Sequence, residues 1–406
     1  MKQLRVALVL LLASCAPPET APVPVTDSRD PDIRIGLLVD VREATLGGDA
    51  LLIDDPVEGN LRTTAAGTAL SVATRGAMVS LSGSGPRIER ATLLIRSADS
   101  NGSVKVNGRT YRGSLELHRG ETGVVVVNVV PLERYLVGVV GAEMGLRMPE
   151  EIEALKAQAI VSRTYAIRNQ GRWKDRGFDL VSSVADQAYA GQLNETALAT
   201  AAVAATRGEV ITWNGQPIDA FFSSTCGGRT EEGTAAFAGA SRPYLRSVDD
   251  RDPSGAAWCA TSPRYHWKAG WTAGQLATIL RKTLAAEKLP GARATDLRDV
   301  RIDSRTPSGR IGALELVGRN GRTLLPGQAL RRVMSPPEGG VLWSTDFTIR
   351  VTRTGGKLER VDVDGRGNGH GVGMCQWGAI GRARAGQDNR TILGSYFPGT
   401  DIQRLY

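Results

Sequence analysis

Six valines crowd into the seven positions from Val124 to Val130. Side chains branched at Cβ hold χ1 stiffly and favour extended backbone, and an apolar run of this length without alternation predicts a strand buried on both faces. A strand buried on both sides must be covered by other elements, and the chain supplies one soon afterwards. Pro149 opens a helix predicted to run to Asn169, with Glu150 and Glu151 in its first turn, where the helix dipole favours acids.

The rest of the chain extends this pattern. Ile33 to Val41 and Ala91 to Arg96 read as strands. Asn107-Gly108 closes a hairpin over residues 103–112, because both residues accept the positive φ of a type I′ turn. Similar hairpin signals stand at Asn214-Gly215, Asn320-Gly321 and Gly355-Gly356. Glycine, at 48 of 406 residues, is about 12 % of the chain against an ordinary ~7 %, in keeping with many turns. Further helices are expected over 194–206, 272–288, 374–385 and 391–397. The expected class is α+β, mixed strands and hairpins with a few helices, a long core over 128–406 preceded by a β-rich region over 32–127.

The N-terminus carries an address. A basic head, Met1 to Arg5, precedes the apolar run Val6 to Ala13, the length of a secretory signal. Leu12-Ala13-Ser14-Cys15 then resembles a bacterial lipobox, in which the cysteine becomes the acylated first residue. An ordinary signal peptide with a chance cysteine is the alternative. On the lipobox reading residues 1–14 are removed and Cys15 is lipidated, with the Pro- and Thr-rich segment to Pro31 as a tether. The chain carries 50 Lys+Arg against 42 Asp+Glu, a net +8, and loss of Lys2 and Arg5 leaves 8 − 2 = +6. That balance suits an anionic partner. Nucleic acid is not expected, since three His, 5 % aromatic residues and no concentrated basic stretch make a poor binding surface.

Three cysteines remain, an odd number for an exported protein. Cys226 and Cys259, 33 residues apart, form the expected disulfide and Cys375 the leftover thiol. Zinc is the rival, with His266 or His370 joining the cysteines, but neither CxxC nor HExxH is present, so no metal or other cofactor is expected.

Four stretches carry the chemistry. The first, Val130 to Met144, contains Pro131-Leu132-Glu133-Arg134-Tyr135-Leu136 and ends in Ala142-Glu143-Met144. The second is the helix around Leu155-Lys156-Ala157-Gln158-Ala159. The third is Ser223-Ser224-Thr225-Cys226-Gly227-Gly228-Arg229-Thr230, and the fourth Gly369-His370-Gly371-Val372-Gly373-Met374-Cys375-Gln376. Glu143 follows a glycine-bearing apolar segment. Desolvation there would raise its pKa and suit a general acid, whereas capping the next helix or pairing with a base is the plainer role. Lys156 and Arg163 fall on the apolar stripe of the helix, so they need anionic partners, Glu143 or a substrate, or else snorkel to its rim. His370 and Cys375 also invite a Cys–His nucleophile reading, although no orienting Asp or Asn stands nearby.

Together the four stretches resemble the stage II sporulation protein D family, which includes amidase-enhancer proteins, over roughly Val130 to Tyr406. The resemblance implies a peptidoglycan lytic transglycosylase with Glu143 as its catalytic acid. It further implies substrate contacts from Lys156, Arg163, Ser223, Ser224, Arg229, His370 and Gln376. Some relatives bind zinc through Cys and His near the third motif, but Ser223 and Arg229 stand here where those relatives show histidine. The partners expected are peptidoglycan glycan strands, the membrane through Cys15, and a cell-wall amidase. A non-enzymatic, glycan-binding enhancer of such an amidase is the alternative function.

The attachment is directly testable. Cys15→Ala is expected to move the protein from the membrane to the soluble fraction and to end incorporation of labelled fatty acid. An unchanged membrane fraction would leave only an ordinary signal peptide.

Overall fold

The computed structural model describes residues 30–83, 85–289, 297–319 and 321–406. The expected signal sequence, Cys15, most of the expected tether and Asn320 lie outside them. Strands and helices are both plentiful, in an α+β arrangement.

The valine run forms the strand Val124–Pro131, whose Val124 to Val127 and Val130 are almost fully buried. It lies between Asp32–Val41 and Ser114–Arg119, antiparallel to both, inside a seven-stranded sheet. Asn128, the polar break in the run, costs little because its side chain is satisfied. Its Nδ2 donates to the carbonyls of Arg112 (2.9 Å) and Ser114 (3.0 Å), and its Oδ1 accepts from Tyr189 Oη (3.0 Å). A six-stranded sheet built from residues 43–48, 70–90 and 104–111 contributes its buried face to the same core. The hairpin turns form where Asn107-Gly108, Asn214-Gly215 and Gly355-Gly356 take positive φ. Ile311–Gly318 and Gly321–Pro326 also pair, with Gly318 opposite Gly321.

One continuous core runs from Ile33 in the β-rich region to Phe397 near the C-terminus, and so bridges the boundary expected near residue 127. A second core, from Trp267 to Val363, belongs to a module of two three-stranded sheets and the helix Ala273–Ala286, set into the chain at residues 266–366.

The strand Val124–Pro131 runs straight into a helix that the sequence reading did not foresee, α1 (Leu132–Met144). Its glycines obscured it, since each weakens an isolated helix by about 1 kcal/mol relative to alanine. Tertiary packing explains them. A Cβ on Gly138 would stand 2.8 Å from the Gly191 carbonyl, and one on Gly141 would overlap the carbonyl of Asn194. The expected helix from Pro149 is present as a 3₁₀ turn, Pro149–Glu151, leading into α2 (Ile152–Arg168). The alanine-rich helix is shorter than expected, Ala197–Ala205, because Thr196 caps it by accepting from the Ala199 amide (3.1 Å). The residues before it form a separate 3₁₀ turn, Gly191–Asn194, which packs on α1.

Gly141→Ala is therefore expected to destabilise the protein by about 1–3 kcal/mol, the usual cost of overpacking, despite alanine's better helix propensity. Urea denaturation followed by circular dichroism would measure it. A gain in stability would show that the close approach at residue 194 relaxes freely.

Candidate active site

Glu143 lies in the last turn of α1, directed at a groove of about 600 Å³. Two donors orient its carboxylate. The Ala188 amide donates to Oε1 (2.9 Å) and Gln376 Nε2 to Oε2 (3.2 Å). Gln376 also reaches Gln158 Oε1 (3.3 Å), and Gln158 Nε2 donates to Ser162 Oγ (2.9 Å), so the orienting amide is itself held from α2. Burial raises the Glu143 pKa above the ordinary carboxylate range, while the hydrogen bonds from Ala188 and Gln376 pull the other way. Burial wins, and the carboxyl keeps its proton to higher pH than a solvated glutamate.

The third and fourth motifs reach Glu143 through one short parallel pairing, Phe222–Ser223 against Met374–Cys375. Ser223, Ser224, His370 and Gln376 consequently line the groove together with Glu143. His370 is half-buried, edge-on to Phe237 at 5.0 Å, and its Nδ1 accepts from the Val372 amide (3.1 Å). Desolvation, reinforced by Arg331, lowers its pKa to about 3, so the ring is neutral. Cys375 does not meet it. That sulfur is fully buried and accepts from the amides of Cys226 (3.1 Å) and Gly378 (3.2 Å), which removes the Cys–His nucleophile.

Three expected substrate cations lie elsewhere. Arg163 is completely buried and forms a two-pronged ion pair with Glu133, at 2.7 Å from both Nε and Nη2. It is a core residue whose partner is the glutamate at the start of α1, not Glu143. Lys156 pairs with Glu153 on its own helix (2.6 Å), and Arg229 pairs with Asp249 (3.0 Å). None of the three lines the groove.

Arg172, which the sequence reading missed, is the cation that does line it. It donates to Asp186 Oδ1 (2.9 Å) and Tyr165 Oη (3.1 Å), and Asp186 is further held by Trp173 Nε1 (3.1 Å) and the Val181 amide (2.8 Å). Of the carboxylates along the groove, Asp186 and Asp219 are ion-paired, to Arg172 and to Arg168 and Arg242 respectively. Glu143 alone among them has no cationic partner.

The cysteines also differ from expectation. Cys226 and Cys259 face each other but remain separate thiols, Sγ to Sγ 3.7 Å, far beyond the ~2.05 Å of a disulfide. Cys375, expected to be left over, stands beside them.

Sequence comparison places the chain among known proteins. It belongs to the stage II sporulation protein D family. Residues 120–213 match the family described as stage II sporulation protein, and residues 231–373 match a domain of unknown function. Stage II sporulation protein D of Bacillus subtilis (strain 168) is 34 % identical over 291 residues, covering 68 % of this chain and 75 % of that protein. An uncharacterized protein of Brachyspira hyodysenteriae is 31 % identical over 301 residues, 73 % of each chain. The amidase enhancer of Bacillus subtilis (strain 168) is 27 % identical over 289 residues, covering 62 % of this chain but 38 % of that protein. Among the described residues, no helix is long and apolar enough to cross a membrane.

The raised pKa of Glu143 has a consequence for stability. As pH rises from the ordinary carboxylate pKa, the unfolded chain loses this proton first, so folding is progressively penalised until the native group ionises too. Glu143→Gln is thus expected to stabilise the fold above that window and to leave it unchanged below it. Thermal unfolding of both proteins across pH 3–8 would test this. A stability difference independent of pH would mean that burial does not control the group.

Proposed function

We propose that this protein acts on the bacterial cell wall as a lytic transglycosylase, cleaving the bond between N-acetylmuramic acid and N-acetylglucosamine with Glu143 as sole general acid and base. Membership of the stage II sporulation protein D family supports the cell-wall role. The observation that supports the chemistry is that Glu143 is the one groove carboxylate free of a cation, with its pKa raised by burial. Hydrolytic glycosidases need two carboxyl groups, one as acid and one as nucleophile or base. A transglycosylase manages with one, because the second nucleophile belongs to the substrate.

In this mechanism Glu143 gives its proton to the bridging oxygen as the muramic C1–O bond breaks. The carboxylate left behind then accepts the proton of the muramic C6 hydroxyl, whose oxygen closes on C1 to form a 1,6-anhydro ring. No water is consumed, and the enzyme ends with its proton restored. Holding the C6 oxygen against C1 makes the closure effectively intramolecular. Gln376 and the Ala188 amide suit the ionised interval, since both donate to the carboxylate. On this reading the lactyl carboxylate of muramic acid pairs with Arg172, a cation of the groove. Phe221 and Phe237, stacked at 4.6 Å, offer an apolar wall for a sugar face.

Glu143→Gln is expected to keep glycan binding and to abolish 1,6-anhydro ends, a loss of at least about 10²-fold for a general acid. Digestion of purified peptidoglycan followed by mass spectrometry gives the answer. Reducing ends carrying added water would indicate a hydrolase. No product from the unaltered protein would favour an enhancer of a separate amidase, the reading that the match to an amidase enhancer supports.

A further inference from the structure

Behind the groove, four potential ligand groups from three separate segments converge on one point. Cys226 follows the strand Phe222–Ser223, Asp250 and Cys259 lie in the long connection after it, and Cys375 caps the helix Gln376–Arg384. Their three sulfurs and one carboxylate oxygen all lie within 4.8 Å of one another, and all four residues are buried. We infer that Cys226, Asp250, Cys259 and Cys375 bind one divalent metal ion, of the zinc class, in a tetrahedral S₃O site that braces the wall of the groove.

The spacing fits such an ion better than it fits a disulfide. With zinc–sulfur bonds of about 2.3 Å, a regular tetrahedron has sulfur–sulfur edges of about 3.8 Å. Cys226 and Cys259 stand at 3.7 Å, too far for a disulfide. Asp250 Oδ2 lies 3.2 Å from Cys226 Sγ, close to the slightly shorter sulfur–oxygen edge.

The surroundings supply independent support, because they are arranged for ligands bearing negative charge. Amides aim at the sulfurs, Gly228 N–H at Cys226 (3.3 Å), and those of Cys226 (3.1 Å) and Gly378 (3.2 Å) at Cys375. Gly228 directs its amide inward with φ +101°, and a Cβ on Gly378 would collide with Tyr396 Oη and Asp250 Oδ2. The carboxylate is fixed from behind, as ligating carboxylates commonly are. Arg382 donates to Asp250 Oδ1 from Nε and Nη2 (both 3.1 Å), and Tyr396 Oη approaches both oxygens (2.9 and 3.0 Å). Three thiolates and a carboxylate carry −4. A divalent ion and Arg382 bring that to −1. Neither His266 nor His370 belongs to the group, so this ligand set differs from a Cys and His site at the third motif.

The position explains what the ion would do. Gln376, which orients Glu143, is the residue after Cys375, and Ser224 on the groove lies two residues before Cys226. The metal would therefore tie the third and fourth motifs together just behind the reacting face, without touching substrate.

The test is metal analysis of the full-length protein, purified without chelator, by plasma mass spectrometry and native mass spectrometry. About one zinc per chain is expected, with Cys226, Cys259 and Cys375 resisting alkylation until a chelator is added. Exchange with cobalt(II) should give the sulfur-to-cobalt charge-transfer band and the intense visible bands of a tetrahedral ion. Cys259→Ser and Asp250→Asn should lose the stoichiometric metal. Tyr396→Phe, which removes only a supporting hydroxyl, should fold and weaken cobalt binding by about 10–100-fold. A Cys226–Cys259 disulfide in the purified protein would overturn the assignment. So would three freely alkylated thiols with no cobalt bands on titration, or metal retained equally by Cys259→Ser and Asp250→Asn.

Discussion

The buried ion pair between Glu133 and Arg163 anchors the architecture around the site. Arg163 is among the largest wholly buried side chains in the protein, and a lone guanidinium there would be prohibitively costly. Glu133 answers it with both oxygens and also accepts from Tyr406 Oη (2.6 Å), while Arg163 Nη1 donates to the carbonyl of Glu209 (3.1 Å). One pair thus joins the first turn of α1, the middle of α2, the strand Glu209–Trp213 and the last residue of the chain. Such pairs add little net stability over well-packed apolar groups, but they penalise any other register heavily. Fixing α1 at its first turn fixes where its last turn delivers Glu143, ten residues or about three helical turns beyond Glu133.

At that far end the governing balance is between solvation and hydrogen bonding. Burial raises the Glu143 pKa and its donors lower it. The structure sets one backbone amide and one side-chain amide against the burial, and neither donor carries a formal charge. A cation in the same place would hold the proton off, and the nearby carboxylates Asp186 and Asp219 already engage the arginines around the groove. Arg172 can therefore stand in the groove without acting on Glu143 directly.

Much of this was legible in the chain. The valine run, the Asn-Gly turns, the Pro149 helix start and the α+β class all follow from local rules, because each depends on backbone preferences that neighbours do not override. Ser223, Ser224, His370 and Gln376 could be picked out with Glu143 because short, glycine-rich motifs mark them. α1 was missed because its glycines argue against a helix locally, and their justification lies in the carbonyls of Gly191 and Asn194, some fifty residues away.

Charge partners and cysteine roles belong to tertiary structure alone. Periodicity put Arg163 on a buried face and demanded an anion. Whether that anion was Glu133, Glu143 or a substrate depended on the crossing of α1 and α2, which no spacing encodes. Likewise the sequence supplied three cysteines and an odd count, from which one disulfide and one spare thiol was the simplest arithmetic. The parallel pairing of Phe222–Ser223 with Met374–Cys375 brings Cys375 to Cys226 across 149 residues, and folding of the intervening connection adds Cys259 and Asp250. Local sequence determined which residues could do chemistry, because residue type and backbone preference act over a few positions. The fold decided which of them meet, because ion pairs and ligand clusters form only where distant segments are packed together.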